Sequence, residues 1–457
     1  MEFLDRTKDI ERLRKALERE RRQFIVLFGR RRIGKSTLLK EVLDTDGRDI
    51  YFLADQTTES NQRQRFAQIA ATKIKGFDLA SYPSWESILI SLNERTEERF
   101  TLCIDEFPYL VKSCSSLPSV IQRLLESANL RYDLVICGSA QQLMHGYVMK
   151  RDEPLYGRAD EIIRLAPIPP SYLCKALNCN ADEAIQEYAV WGGIPRYWEL
   201  RKDYTDMKSA IDNLMLDPHG ILYEEPHRLL HDEMRDTVQA STLLSIIGNG
   251  ANKMSEIAAR AEKTATEISA QLNKLRDLGF ITRQLPYGED EKKSRKGIYI
   301  VSDHLFRFHY RFVSPYISFI ELGKQNIIHS VIDAQFSQYV GQFWEELCRD
   351  FVCGNMIDGI LYTKGFRWWG MLTDGTMAEL DVVAESLDRK HLLIGECKWT
   401  RKENTEALAK RMNDIAGKLP FAKRGQTVHT CLFLRTHPDT PVSTSCFTPE
   451  DILEDVF

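Results

Sequence analysis

The chain has 457 residues, 43% of them hydrophobic and 28% charged, and carries a net charge of −5. This composition is that of about three globular domains, excludes a disordered or fibrous chain, and gives no global attraction to nucleic acid. No stretch approaches the roughly 20 apolar residues of a membrane span, no signal-peptide pattern opens the chain, and the ten cysteines lack the CxxC spacing of a zinc site, so the expectation is a cytoplasmic protein.

Phe3-Leu4-Asp5-Arg6 leads into a helix predicted from Thr7 to about Arg22, with apolar spacing at Ile10, Leu13 and Leu17 and Asp5 as its N-cap. The apolar run Phe24–Phe28 reads as a buried strand. It delivers Gly29-Arg30-Arg31-Arg32-Ile33-Gly34-Lys35-Ser36, followed by Thr37 in the helix that begins near Lys35. Strand, glycine turn and helix start are the setting of a phosphate-binding loop. Gly29 and Gly34 let successive N–H groups face the phosphates, together with the loop residues Arg32 and Ile33. The helix N-terminus adds partial positive charge, Lys35 reaches the outer phosphates, and the Ser36 hydroxyl ligates magnesium. The spacing therefore predicts ATP and Mg²⁺ as ligands; the bland reading is a basic turn.

Asp49–Leu53 is a further predicted strand. Phe100–Ile104 is another and ends in Asp105-Glu106. Asp105 suits a magnesium site and Glu106 suits polarising the attacking water. A kinase is disfavoured, because no pocket for a substrate hydroxyl is evident. Leu134–Cys137 ends in Gly138-Ser139, where Ser139 either senses the γ-phosphate and water or simply caps the next helix. The strand–helix alternation to about residue 165 implies a parallel sheet with flanking helices. The prolines at 167, 169 and 170 close this block at about residue 170.

A helical lid is predicted over 171–237. Residues 238–302 read as a winged helix: helices around Leu243–Ile247, Met254–Ala261 and Thr264–Leu278, then a hairpin over Gln284–Tyr299 with a charged tip. Lys263, Lys274 and Arg276 suit DNA phosphates, but such modules also serve as structural lids. Over 303–335, Phe306, Phe308, Tyr310, Phe312 and Tyr316 recur at period two, which reads as packing rather than a base-stacking platform.

In 336–457 a helix around Tyr339–Phe351 carries Glu345 and Glu346. The strand Glu379–Ala384 carries Asp381, and the strand His391–Lys398 carries Glu396 and Lys398 two apart on one face. Two carboxylates with a helix glutamate suit divalent ions, and the lysine suits activating water for phosphodiester hydrolysis. The ordering is that of a restriction-endonuclease-like domain. The bland alternative is a Glu396–Lys398 ion pair with Asp381 on the surface.

Taken together these motifs resemble the archaeal-type ATPase family, whose members pair an AAA+-like ATPase of the signal-transduction (STAND) class with an endonuclease-like domain of unassigned function. The resemblance also rests on Pro154-Leu155-Tyr156-Gly157-Arg158, Gly192-Gly193-Ile194-Pro195, Phe366-Arg367-Trp368-Trp369-Gly370 and Glu396-Cys397-Lys398-Trp399. It implies that Arg158 meets γ-phosphate charge, in cis or across a homo-oligomer interface. It further implies that Leu4 and Arg6 lie near the adenine, and that Pro195 belongs to a lid element over the nucleotide. Glu345, rather than Glu346, joins Asp381, Glu396 and Lys398 in the nuclease-like set. One departure is Leu380, where the superfamily often has proline. DNA and protein partners are both implied as possible, through the winged helix and the C-terminal domain.

Overall fold

The computed structural model describes residues 5–127, 130–139, 144, 146–148, 150–234, 236–438, 440 and 442–454. The chain divides into two compact units: residues 1–168 with 194–196, and residues 169–193 with 197–457. In the first unit, β1 (Phe24–Gly29), β2 (Ile50–Leu53), β3 (Thr101–Asp105), β4 (Asp133–Gly138) and β5 (Glu161–Leu165) form one sheet in the order β2-β3-β4-β1-β5. Every pairing is parallel. β1, β3 and β4 are buried along their whole length, which is why they read as unbroken apolar runs rather than alternating ones. Phe52, Phe66 and Trp85 lock one face, with the Phe52 and Phe66 rings edge-on at 5.3 Å.

This strand order fixes the geometry of the crevice at the strands' carboxyl ends. β4 separates the loop-bearing β1 from the acid-bearing β3, roughly 10 Å apart at ordinary strand spacing. Ser139, just past the end of β4, therefore lies between loop and acid. The first helix is shorter than its pattern suggests and runs from Thr7 to Leu17. Glu18 to Arg22 supply no apolar residue to extend the buried stripe of Leu13 and Ala16. Asp5 does not cap it; the N-cap position is Arg6, and Asp5 adopts φ 52°.

In the second unit, Ser171–Leu177, Ala181–Trp191, Met207–Leu214 and Glu225–Glu233 are helices. Helices Thr237–Gly248, Met254–Arg260 and Ala265–Asp277 follow, then the antiparallel pair β6 (Ile281–Gln284) and β7 (Ile298–Val301). Thr264 and Glu267 cap the third helix reciprocally. Leu243, Leu244, Ile257, Ile268, Leu272, Leu275, Phe280 and Tyr299 share one core. Phe306, Phe308, Tyr310 and Phe312 are buried as packing on helical backbone, where His304–Phe308 is α-helical and His309–Val313 continues as a π-turn, whereas Tyr316 is only half-buried. A 28-residue helix, Gln325–Val352, runs unbroken through residues 335 and 336.

A short hairpin, β8 (Met356–Ile357) and β9 (Ile360–Leu361), precedes a second sheet. Its strands β10 (Phe366–Met371), β11 (Met377–Glu385), β12 (His391–Lys398), β13 (Thr427–Leu434) and β14 (Ser445–Phe447) lie in sequential order. The β10-β11-β12 pairings are antiparallel and the β12-β13-β14 pairings parallel. The change of sense requires a crossover, which the helix Thr405–Ala416 provides. Among the described residues, no helix is long and apolar enough to cross a membrane.

Candidate functional site

The loop after β1 is built by close approach and unusual backbone. A Cβ on Gly29 would lie 2.9 Å from the Leu165 carbonyl oxygen, so only glycine lets β1 turn there. Arg32 (φ 67°) and Gly34 (φ 96°) both occupy the left-handed region. Lys35 opens the helix Lys35–Val42, is buried, and donates from Nζ to the carbonyls of Gly29 and Arg30 at 3.0 Å each. Ser36 Oγ donates to Asp105 Oδ2 at 2.7 Å. Thr37 is exposed one residue further along, and Ile33 is buried beneath the loop.

Asp105 is 1% exposed at the end of β3 and fully engaged. Its Oδ2 also accepts the Tyr51 hydroxyl at 2.5 Å, and its Oδ1 accepts the Glu106 N–H at 2.8 Å. Burial, reinforced by Asp105, pushes the Tyr51 phenol well above its usual range, so it remains a donor. Burial likewise raises the Cys103 and Cys137 thiols, leaving them inert packing groups. Glu106 has φ 53° and ψ 40°. Ser139 Oγ lies 2.6 and 2.8 Å from its two carboxylate oxygens and donates its single proton to one at a time. The capping alternative for Ser139 concerns the residues that follow it, which lie outside the described residues.

Arg6 is buried and braces the loop from outside, donating to the carbonyls of Ile33 (3.2 Å) and Ala166 (2.9 Å). Leu4 lies outside the described residues. Arg158 donates to the Pro154 carbonyl at 2.9 Å and pairs with Glu126 at 2.7 Å. Pro195 opens the helix Pro195–Lys202. Lys35, Ser36, Asp105, Glu106 and Ser139 are thus connected through direct hydrogen bonds or sequence adjacency, whereas Arg158 is held by Glu126.

The second constellation lies on β11, β12 and the long helix. Asp381 Oδ2 accepts the Cys397 N–H at 2.9 Å. Glu396, 5% exposed, accepts Lys398 Nζ at 2.7 Å and Arg411 at 3.1 Å through the same oxygen. The Glu396–Lys398 pair runs within one strand, and Asp381 is buried rather than a surface acid. Arg349 donates to the Asp381 carbonyl at 2.8 Å, and both Arg349 and Arg367 lie 3.8 Å from Glu345 Oε2. Glu346 turns away to Arg307, at 2.9 Å. A Cβ on Gly395 would lie 2.8 Å from the Cys431 sulfur, so this glycine lets β12 pack against its neighbour.

Burial, then the neighbouring Asp381, pushes Glu345 up to about 7; burial and Glu396 raise Asp381. The raised Glu345 value means that the folded chain keeps a proton the unfolded chain releases in the ordinary carboxylate range. That stabilisation is complete below about pH 4.5 and is lost as the pH rises through about 7. Glu345→Gln is expected to unfold at a higher temperature than wild type at pH 8 in EDTA, with the advantage vanishing near pH 4.5. Parallel melting curves across that range would sink the assignment.

Among the described residues no three His, Cys, Asp or Glu side chains form a ready cation cage. The donor set nevertheless suits a hard, oxygen-seeking ion. Among those residues, neither Asp381 Oδ1 nor Glu396 Oε2 accepts a hydrogen bond. Tyr51, Arg349 and Arg411 were missed by motif reasoning, and Arg367 entered it only within the Phe366–Gly370 motif, with no role of its own. Tyr51 left a faint signal, a hydroxyl in an apolar strand; Arg349 and Arg411 left none.

At the β6–β7 hairpin, Arg283 ties down the tip by donating to the carbonyls of Glu291 (2.9 Å) and Ser294 (2.6 Å). Lys296 pairs with Glu289 at 2.7 Å. Lys274 and Arg276 sit in the last turn of the preceding helix.

Residues 3–199 match a family described as an ATPase domain predominantly from Archaea, and residues 309–409 match one described as archaeal and bacterial proteins of unknown function. An uncharacterised protein of Methanocaldococcus jannaschii is 28% identical over 409 residues, covering 87% of each chain. Among solved structures, the Walker-type ATPase of Pyrococcus abyssi superposes with a TM-score of 0.51 at 19% identity, over 68% of this chain and 96% of its own. At that identity the likeness is one of fold.

Proposed function

We propose, with residues 3–199 as an archaeal-type ATPase domain, that the chain is a cytoplasmic switch that binds and hydrolyses ATP with magnesium. Its nucleotide state governs a C-terminal nuclease-like domain acting on nucleic acid. The observation that carries the nucleotide half is the 2.7 Å bond from Ser36 to Asp105 beside the buried Lys35. It brings together the two groups suited to magnesium, Ser36 at the start of the helix and Asp105 at the end of β3. In this reading Gly29, Arg32, Ile33, Gly34, Lys35 and Thr37 cradle the phosphates, Arg6 and Leu4 border the base, and Pro195 belongs to the lid over residues 171–237. Bound magnesium supplies neutralising charge at the phosphate oxygens. Glu106 orients and polarises water once Ser139 shares or yields its hydrogen bond. Arg158, released from Glu126, adds fixed positive charge in cis or from a neighbouring copy.

The nuclease half rests on Asp381, Glu396 and Lys398 meeting on adjacent strands, with Glu345 beside them on the helix. The order of long helix, three antiparallel strands, crossover helix and parallel strand supports the endonuclease-like reading. Asp381 and Glu396 hold a divalent ion, and Lys398 positions water. Residues 238–302 act as a winged helix, with Lys263, Lys274 and Arg276 available to phosphates. A second reading, a nucleotide-gated scaffold with an inactive nuclease-like domain, is favoured by one observation: two cations already occupy one oxygen of Glu396.

The test is cleavage of plasmid and linear DNA with Mg²⁺ or Mn²⁺, with and without ATP. ATP-dependent nicking lost in Lys35→Ala, Asp381→Ala and Glu396→Ala is the expected result. Intact ATP turnover with no cleavage under any condition selects the scaffold.

A further inference from the structure

The helix Thr405–Ala416 and the β10–β11 hairpin enclose an open groove of about 390 Å³. Lys410, Arg411 and Lys418 line it together with Leu372, Thr376 and Met377, and Asp414 is its one acid. Lys418 is paired with Asp374 at 2.9 Å. Arg411 is half-exposed and reaches from the groove to Glu396, sharing the Oε1 oxygen already held by Lys398. One side chain therefore belongs both to the groove and to the candidate metal carboxylate.

We propose that Arg411 is a phosphate-responsive latch: the groove takes the phosphodiester backbone of a nucleic acid, and Arg411 transfers from Glu396 to a phosphate oxygen. This rests on the nuclease-like reading and adds to it a reason for the cation site to form only with substrate present. Asp381 and Glu396 carry two negative charges, and Lys398 and Arg411 two positive ones. A divalent ion gains little from that balanced set. Moving the guanidinium onto phosphate leaves one net negative charge, which draws the ion to Asp381 Oδ1 and Glu396 Oε2 while Lys398 keeps Oε1. A guanidinium suits the exchange, because carboxylate and phosphate present it with similar paired oxygens. Arg349 and Arg367, facing Glu345, remain where they are in both states.

Linkage makes the latch measurable without catalysis. If oligonucleotide frees the site, it tightens Mn²⁺ binding, and Mn²⁺ tightens oligonucleotide binding by the same factor. Titrations on the full-length protein would follow Mn²⁺ by paramagnetic resonance and a labelled 20-mer by fluorescence anisotropy, with separate DNA and RNA arms. The expected wild-type coupling is about 5–150-fold, from whichever of the two polymers fits. Arg411→Gln should bind Mn²⁺ more tightly than wild type without oligonucleotide and show coupling near one. Arg411→Lys, which keeps the charge, should retain part of it, and this guards against a merely misfolded Gln variant. Wild-type coupling unchanged in Arg411→Gln would overturn the latch while leaving the metal site standing. Mn²⁺ binding that stays absent in wild type even with saturating oligonucleotide, or that is indifferent to Asp381→Ala, would remove the nuclease-like reading and the latch with it.

Discussion

Glu106→Gln is expected to bind ATP as wild type does and to hydrolyse it about 10²–10⁴-fold more slowly, the range for removing a positioned general base. Glu106 is singled out by its surroundings. It follows a wholly buried strand, its backbone is held in the left-handed region, and its carboxylate lies 2.6 and 2.8 Å from one hydroxyl, that of Ser139. Glutamine keeps the size and can still accept the serine proton, but it cannot take a proton from water. Lys35→Ala should differ in kind and lose binding itself, because it removes the charge that would meet the phosphates. The pair is read by equilibrium binding of a fluorescent ATP analogue alongside steady-state phosphate release. Wild-type turnover in Glu106→Gln would mean that the base is some other group. Loss of binding in that variant would mean that Glu106 holds the nucleotide rather than activating water.

Glu187→Ala is expected to cost about 3–5 kcal/mol of stability in the second unit. Glu187 and Arg201 are 6% and 8% exposed, and three hydrogen bonds of 2.7–3.0 Å join the guanidinium to the carboxylate. The Trp191 indole N–H donates to the same carboxylate at 2.6 Å. Truncating the acid strands a buried cation and an indole donor together, which is far costlier than losing an exposed pair. Glu187→Leu with Arg201→Met, which removes both charges while keeping volume, should recover much of the loss. Hydrogen exchange over Ala181–Trp191 measures both. Equal protection in Glu187→Ala and wild type would show that the network adds nothing.

The nucleotide site was legible in the sequence because its parts are local. A buried strand, two glycines and a helix start are neighbours in the chain, and so are Asp105 and Glu106. What escaped was set by register. Tyr51 reaches Asp105 because β2 pairs with β3, with Leu53 opposite Asp105, and no spacing rule encodes that. The aromatics over 306–312 were legible as packing but not as a helix, because a helix buried on all sides shows no polar face to reveal its period. The first helix was overextended since charged residues with good helix propensity follow Leu17, while the packing that would hold them does not. In the C-terminal sheet Asp381, Glu396 and Lys398 were legible from strand alternation. Arg411 was not, because its meeting with Glu396 depends on how the crossover helix docks.

The position of β1 in the middle of its sheet also dictates when this domain can exist during synthesis. Its partners come late: Phe24 pairs with Leu134, and Ile25 with Glu161. At 5–20 residues per second, roughly 7 to 27 seconds pass between the emergence of Phe24–Phe28 and that of β5. Until β4 emerges, one of the most apolar segments of the nascent chain has no native neighbour on either side, and from then until β5 emerges it has one on a single side. The phosphate loop's strand is therefore the natural handhold for a ribosome-associated chaperone, and slowing translation before residue 165 should lengthen that dependence.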